Sequence, residues 1–302
     1  MQRKGYPLNQ SPLFKLTTKR NLANLLGMST GKLRSLRHSD KLYSERDIPK
    51  KNGGFRRIEN PMRELKLVQA KVARLLSRII PPDYLFCPVK GRCYVTNAAR
   101  HSGNRIVRTL DIKKYFPNTP QRRVFWFFRT IMKCNSDVAD ILSAIASYKG
   151  HLPTGSPLSP IMAFYAYYDV WEEVDRLVKE NGVTNSLYID DLTISGARVS
   201  DRLMWDIKRV IHRSGLRYHK EKTFRDHPPE ITGVILAKGK AVPPNRQLLK
   251  RHRASRALLG ANSREEKLRI AQQLKGLIGQ ISQIESVNAR LLGPGEEFEQ
   301  GS

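Results

Sequence analysis

The sequence predicts one compact body of mixed helix and strand. Two observations carry this: short apolar runs of both helical and strand period, punctuated throughout by 20 Gly and 17 Pro, and the absence of any internal repeat or low-complexity tract. A chain of 302 residues has room for a substantial core and for one catalytic module of two or three subdomains, but not for several enzymes in tandem. Its 54 Lys and Arg against 27 acids leave a net charge of +27, far beyond what solubility needs. Such a surface expects a polyanion. Nucleic acid is the first candidate, because each neutralised phosphate frees condensed counterions. A membrane surface is the weaker one: no window approaches the roughly 18 apolar residues of a spanning helix, and the first twenty residues lack the apolar run of a signal peptide. A cytoplasmic protein is expected. Cys87, Cys93 and Cys134 are odd in number and show no CxxC pair, so they read as structural thiols rather than a disulfide framework or a zinc site.

In chain order, residues 18 to 38 place Leu22, Leu25, Leu26, Leu33 and Leu36 as two short helices. The pattern admits a DNA-binding helix-turn-helix; a packing pair at the start of a larger fold is the preferred reading, since one short pattern seldom decides. From Asp47 to Asn60, strand-like ends flank Asn52-Gly53-Gly54, a hairpin signal among basic residues. Residues 62 to 80 then read as an amphipathic helix with Leu65, Val68, Val72, Leu75, Leu76 and Ile79 on one side. Beyond Pro244 the composition shifts. Between Lys238 and Lys275 stand 11 Lys and Arg against Glu265 and Glu266, and Leu274, Leu277, Ile278, Ile281 and Ile284 are spaced for one helical face. This predicts a basic helical subdomain, followed by an acidic, mobile tail.

Two segments carry the chemistry. In IVRTLDIKKYFPNTP an apolar strand runs into Asp111. In NSLYIDDLTISG a second strand pattern is interrupted by Asp190 and Asp191. Adjacent carboxylates inside an apolar hairpin repel each other and lose hydration, so they need a reason. A divalent cation supplies one, and magnesium, held by one or two carboxylates plus phosphates, suits a nucleotide site. A polar turn with solvated acids remains the alternative for Asp190-Asp191 taken alone.

The order of the segments removes that ambiguity. Asp111 with Tyr115-Phe116, then LPTGSPLSP at 152 to 160, then Tyr188-Ile189-Asp190-Asp191, resembles motifs A, B and C of the reverse transcriptases. IPKKNGGFRRIENP with Leu65 to Gln69 is similar to their fingers motifs, and GLRYHKEKT at 215 to 223 to motif D, so the resemblance covers roughly 40 to 240. Asn97-Ala98-Ala99-Arg100-His101 resembles the NAxxH signature of the retron enzymes, and Ile231-Thr232-Gly233 their VTG. The 69 residues after Gly233 leave room for a thumb and none for an RNase H or maturase extension.

The resemblance implies an α+β right-hand polymerase: N-terminal helices and fingers over 1–110, a palm with interposed fingers helices over 111–237, a basic helical thumb over 238–292, and a flexible tail over 293–302. It implies two Mg2+ ions about 3.5 to 4 Å apart, with Mn2+ able to substitute. Asp111 and Asp190 would bridge them, the Ile112 carbonyl would add a ligand, and Asp191 would act as ligand or supporting acid. Arg57 is the expected triphosphate clamp, with Lys50 or Lys51 as helper. Lys222 is the expected general acid for the leaving pyrophosphate, with Lys220 its competitor. Tyr115, Phe116, Thr154 and Gly155 would line the nucleotide site, Phe116 excluding a ribose 2′-OH. Thr154 stands where the family commonly has Gln, a departure that bears on nucleotide affinity and fidelity. Asn97 and His101 are implied in RNA handling, a satisfied structural histidine being the alternative, and Arg251, Arg253 and Arg256 are expected to grip RNA. The implied partners are a noncoding RNA that serves as template and primer, its DNA product, deoxynucleoside triphosphates and an effector protein. Another bacterial reverse transcriptase, or a non-catalytic RNA-binding protein, is the rival reading.

Overall fold

The computed structural model describes residues 5–36, 41–50 and 53–288. Lys51, expected at the nucleotide site, and the tail over 293–302 lie outside the described residues. The architecture is α+β.

Helices α1 (Lys19–Leu26) and α2 (Thr30–Ser35) form the predicted pair, capped by Thr18 and Ser29, whose hydroxyls accept from Asn21 N and Lys32 N. Leu22, Leu26, Leu33 and Leu36 are buried in the main core, so the pair packs on the body rather than presenting a recognition helix. Strands β1 (Tyr43–Pro49) and β2 (Phe55–Pro61) pair antiparallel from Tyr43↔Pro61 to Pro49↔Phe55. Gly53 and Gly54, at φ 83° and 75°, supply the left-handed turn that the hairpin requires. Helix α3 (Arg63–Leu76) buries Leu65, Val68, Val72 and Leu76. It is shorter than expected: Ile79 is buried in the turn that follows, where it bridges to Tyr6.

The central sheet has the order β3-β5-β6-β4-β7: β3 (Leu85–Cys87), β4 (Ile106–Ile112), β5 (Thr184–Tyr188), β6 (Asp191–Gly196) and β7 (Tyr218–Arg225), antiparallel except for β3 beside β5. Between them run α4 (Tyr94–Ala99), α5 (Gln121–Trp126), α6 (Ser136–Ala146), α7 (Ser159–Ala166), α8 (Tyr168–Glu180) and α9 (Asp201–Arg213). Alternation along the strands splits the packing into two cores. Leu110, Leu192 and Ile194 join Phe164, Trp171, Leu203 and Ile207 in the main core. Val107 joins a second core with Val95 and Ala98 of α4 and with a small sheet of β8 (Glu230–Ile231), β9 (Val234–Ala237) and β10 (Lys240–Val242). Because β9 and β10 pair as a hairpin, the expected boundary at 237/238 falls within a structural unit.

Helices α10 (Asn245–Gly260) and α11 (Arg264–Ser286) pack on each other. Of the apolar stripe predicted on α11, the C-terminal end reaches the second core. Ile284 and Val287 enter the second core and the Asn288 amide brackets the Ala241 backbone at 2.7 and 3.0 Å, whereas Ile278 is 47% exposed.

Two buried polar residues fix the hairpin to the body. The Gln69 amide donates to Tyr43 OH at 2.7 Å and to the Ile145 carbonyl at 2.9 Å, and accepts from Ser156 Oγ at 2.7 Å. Glu59 faces the 151–156 loop. Its carboxylate meets His151 Nε2 at 3.0 Å and Thr154 N at 3.3 Å, its N–H donates to Thr154 Oγ1 at 3.1 Å, and its carbonyl accepts from Gly155 N at 3.1 Å. A Cβ on Gly155 would stand 2.6 Å from the Glu59 carbonyl oxygen and 3.0 Å from Asn60 Cα. Both are backbone atoms of a paired strand and cannot yield cheaply. We expect Gly155→Ala to cost about 1–3 kcal/mol, read as a lower denaturant midpoint at unchanged slope. A midpoint equal to that of the parent would mean that strand and loop separate without cost.

Candidate active site

Register brings the acids together. Asp111 pairs with Asp191 across β4 and β6, Tyr188 pairs with Asp191 across β5 and β6, and the two residues between them, Ile189 and Asp190, make the turn. Ile112 N donates to the Asp190 carbonyl at 2.8 Å, which ties that turn to the end of β4. Ile189 is left-handed at φ 57°, a costly conformation for a β-branched residue. Its side chain packs against the main core, which helps to hold it there.

Burial and mutual repulsion govern the electrostatics of the three acids. Loss of hydration, then the Asp111 charge, raises the Asp190 carboxyl above its ordinary range. Loss of hydration, then Asp190 and Asp111, pushes Asp191 up to about 7. Positive charge offsets this only in part: Arg56, and His219 when protonated, act on Asp190, Lys222 and more weakly Lys220 on Asp191. The His219 Nδ1 stands 3.4 Å from Asp111 Oδ1. Among the described residues no three or more His, Cys, Asp and Glu side chains converge as an all-protein metal cage. Uncompensated carboxylates that fall short of a cage fit magnesium shared with substrate phosphates, which needs only one or two of them from the protein.

The flanking residues depart from expectation in several places. Arg57 lies opposite Asp47 and pairs with it at 3.4 Å and with Glu45 at 3.5 Å. Alternation along β2 turns Arg56 to the other face, and Arg56 is the one whose charge reaches Asp190. Lys50 is exposed at the base of the hairpin loop. Lys220 pairs with Asp111 and Lys222 with Thr109 along β7; both side chains are exposed on one strand face, so the two stay close competitors. Tyr115 is a core residue: its hydroxyl donates to the Ala163 carbonyl at 2.9 Å and accepts from Trp171 Nε1 at 3.0 Å. Phe116 remains half-buried, its ring stacked on that of Tyr115 at 6.1 Å. The Thr154 hydroxyl is spent on β2, donating to the Arg57 carbonyl at 2.9 Å and accepting from Glu59 N. Gly155 permits the contact with β2 described above.

Asn97 and His101 face inward, so burial excludes direct RNA contact through them. His101 is 1% exposed, with Nδ1 and Nε2 each 2.7 Å from a serine hydroxyl, Ser195 and Ser186. Loss of hydration lowers its imidazole to about 3, which keeps it neutral. Asn97 donates to Thr232 Oγ1 at 3.3 Å, so the two signature segments lie against each other. Arg251, Arg253 and Arg256 are exposed on α10, and no carboxylate among the described residues pairs with them.

His219, Glu59 and Gln69, which lie at the acids or support β2, carry no signal in the sequence, whereas Arg56 stands on the predicted hairpin beside Arg57, the residue preferred there. The choice between Arg56 and Arg57 was accessible in principle, since a turn centred on Gly53-Gly54 sets Asp47 opposite Arg57. The others depend on contacts remote in sequence.

The model of the family described as reverse transcriptase (RNA-dependent DNA polymerase) matches residues 48–236. Among curated proteins, the chain is 27% identical over 195 residues to the retron Se72 reverse transcriptase of Salmonella heidelberg (strain 579083-10), covering 63% of this chain and 52% of that one. It is 28% identical over 273 residues to the retron Mx162 reverse transcriptase of Myxococcus xanthus, covering 78% and 56%. To the retron Ec86 reverse transcriptase of Escherichia coli it is 26% identical over 192 residues, covering 62% and 60%. The chain spans about half the length of the curated relatives it matches. The matched span runs from the β1–β2 hairpin to β9 and takes in Asp111, Asp190, Asp191 and the cations that face them, and by that match the chain belongs to the reverse transcriptase family.

Proposed function

We propose that the chain is an RNA-directed DNA polymerase of retron type, which copies a structured noncoding RNA into single-stranded DNA from a 2′-OH of that RNA. The observation that carries the reading is the meeting of Asp111, Asp190 and Asp191, with raised proton affinity in Asp190 and Asp191, beside the cations of β2 and β7. Similarity to the retron enzymes favours the retron type, and with it the branched product, an effector protein partner and a role in phage defence.

In this reading β1–β2 serves as fingers, the five-stranded sheet as palm and α10–α11 as thumb. Asp111 and Asp190, with the Ile112 carbonyl, would hold two Mg2+ or Mn2+ ions, and Asp191 would complete or support the set. The ions supply a lowered pKa for the primer hydroxyl and charge neutralisation at the triphosphate. Arg56, with Lys50 beside the hairpin loop, binds the triphosphate, since phosphoryl transfer depends mainly on positioning and electrostatics. Lys222 or Lys220 gives a proton to the departing pyrophosphate. Phe116 closes the sugar side against a 2′-OH. The exposed Arg251, Arg253 and Arg256 of α10 grip RNA phosphates, while Asn97 and His101 hold the palm that the RNA meets.

Asp190→Asn tests the reading twice. Primer extension on an RNA template should fall by about 10²-fold or more with RNA affinity retained; parental extension would sink the assignment. The same variant loses a repelling charge. A carboxyl raised in the folded state favours folding below its unfolded value and loses that contribution as pH climbs through its folded value, near 7 for Asp191. In EDTA, Asp190→Asn should therefore melt about 2–4 °C above the parent at pH 8 and with a smaller difference at pH 5. Equal melting at both pH values would mean that the acids do not repel.

Arg56→Ala should raise the KM for a deoxynucleotide by about 10- to 100-fold, the worth of a charged hydrogen bond, and Arg57→Ala by less than about 3-fold. The reverse order, measured by steady-state extension, would restore Arg57 as the clamp. Phe116→Ala should cut the preference for dGTP over GTP by roughly 10-fold or more; an unchanged ratio would place the sugar gate elsewhere.

A further inference from the structure

The α9 helix carries its apolar side, Leu203, Met204, Ile207, Val210 and Ile211, in the main core. On its opposite side Trp205 is 51% exposed. Other large apolar side chains are exposed, but this ring differs from them in its surroundings. The guanidinium of Arg202 lies 5.0 Å from the ring centroid, one turn before it, and that of Arg209 4.7 Å, one turn after it. Asp206 holds both cations in place, its Oδ2 3.1 Å from Arg202 Nε and its Oδ1 3.4 Å from Arg209 Nη2. One carboxylate against two guanidinium groups leaves a net positive charge. Arg202 is 76% exposed and Arg209 60%, and Asp206 engages one nitrogen of each, so their other N–H groups face solvent.

The exposed half of the indole adds nothing to the core. What it presents to solvent is a stack of planar groups, the indole with the guanidinium groups of Arg202 and Arg209 lying over it, each fixed by Asp206. An unpaired nucleobase stacks on such a surface, while the phosphates on both sides of it meet the arginines. The net charge of +27 on the chain favours a polyanion here over a protein surface. We propose that the Arg202–Trp205–Arg209 face of α9 is a docking platform for single-stranded nucleic acid, separate from the site of nucleotide addition. Trp205 looks away from the core that α9 shares with Leu110 and Leu192 of the acid-bearing strands. The platform does not rest on the polymerase reading, because binding to it is read apart from extension.

The test uses the full chain and a fluorescent, unstructured RNA of about 20 nucleotides, long enough to reach beyond one site of the usual 4–16 nucleotides. Trp205→Ala should weaken its binding by about 5- to 100-fold, the range for losing one stacked base, and Trp205→Phe by less than about 3-fold. Arg202→Gln with Arg209→Gln should make log K against log salt shallower by up to about 1.4, at roughly 0.7 for each phosphate contact with a single strand. Nucleotide addition on a short bound primer–template should change by less than about 2-fold. A 4-thiouridine substituted RNA should cross-link to an α9 peptide in the unmutated chain, an outcome that needs no variant to fold. Parental affinity and salt slope in Trp205→Ala, with no cross-link on α9, would overturn the proposal. So would loss of a copurifying protein with RNA affinity unchanged, which would make this face a protein interface. Absence of extension by the parental chain, with these binding outcomes intact, would remove the polymerase reading and leave the platform standing.

Discussion

Glu59 is buried with its carbonyl bound to Gly155 and its carboxylate bound to His151 and Thr154, and in that position it sets how β2 stands on the 151–156 loop. Arg56 lies three residues earlier on the same strand. Its approach to Asp190 follows from this anchorage, because a strand bonded at one end through main-chain atoms cannot slide without turning its side chains to the opposite face. Gln69 adds a second tie one layer deeper, joining β1, α6 and the start of the 156–158 turn through a single amide. An unpaired amide there would cost its desolvation energy, so the hairpin is coupled to α6 and the 151–156 loop through buried polar groups. The cations of β2 and β7 stand on the solvent side of the acids, which are themselves half-buried.

The acids are the opposing constraint. Strand pairing holds Asp111 and Asp191 side by side and Ile189 bends the chain so that Asp190 joins them. Each feature works against stability: repulsion, lost hydration and a left-handed isoleucine. They persist because the surrounding register leaves the turn no other conformation, as is common where a site is organised before its ligand arrives.

Legibility followed sequence distance. The hairpin, the strand ending in Asp111 and the turn at Asp190 were readable because each is local: a Gly pair, an apolar run, two acids inside one. The mixture of helix and strand followed from these, and the α+β class from the resemblance that the ordered motifs carry. What could not be read was who meets whom. His101 closes on Ser186 across 85 residues and Glu59 on Thr154 across 95, and nothing local distinguishes a buried histidine satisfied by two hydroxyls from one that handles RNA. Tyr115 and Phe116 are neighbours of like chemistry, yet one anchors the core and the other stays half in solvent. The helical stripe of α11 was correct as a pattern and misleading as a contact, since periodicity shows which side is apolar but not how much of its length another surface covers.

Among the described residues, the α10–α11 pair is fastened to the body at its root. Arg246 ties the first turn of α10 to Glu230, while Ile284, Val287 and Asn288 fasten the far end of α11; the turn at Ala261–Ser263 lies at the opposite end. Helices of 16 and 23 residues make this a lever arm of about 24–34 Å, so that tilting the root by 10° sweeps the tip through about 5 Å, close to the pitch of one helical turn. The arginines of α10 ride on that arm. Small adjustments of packing around Val287 are thereby geared up into steps of molecular size at the cationic surface, without any bending of the helices themselves.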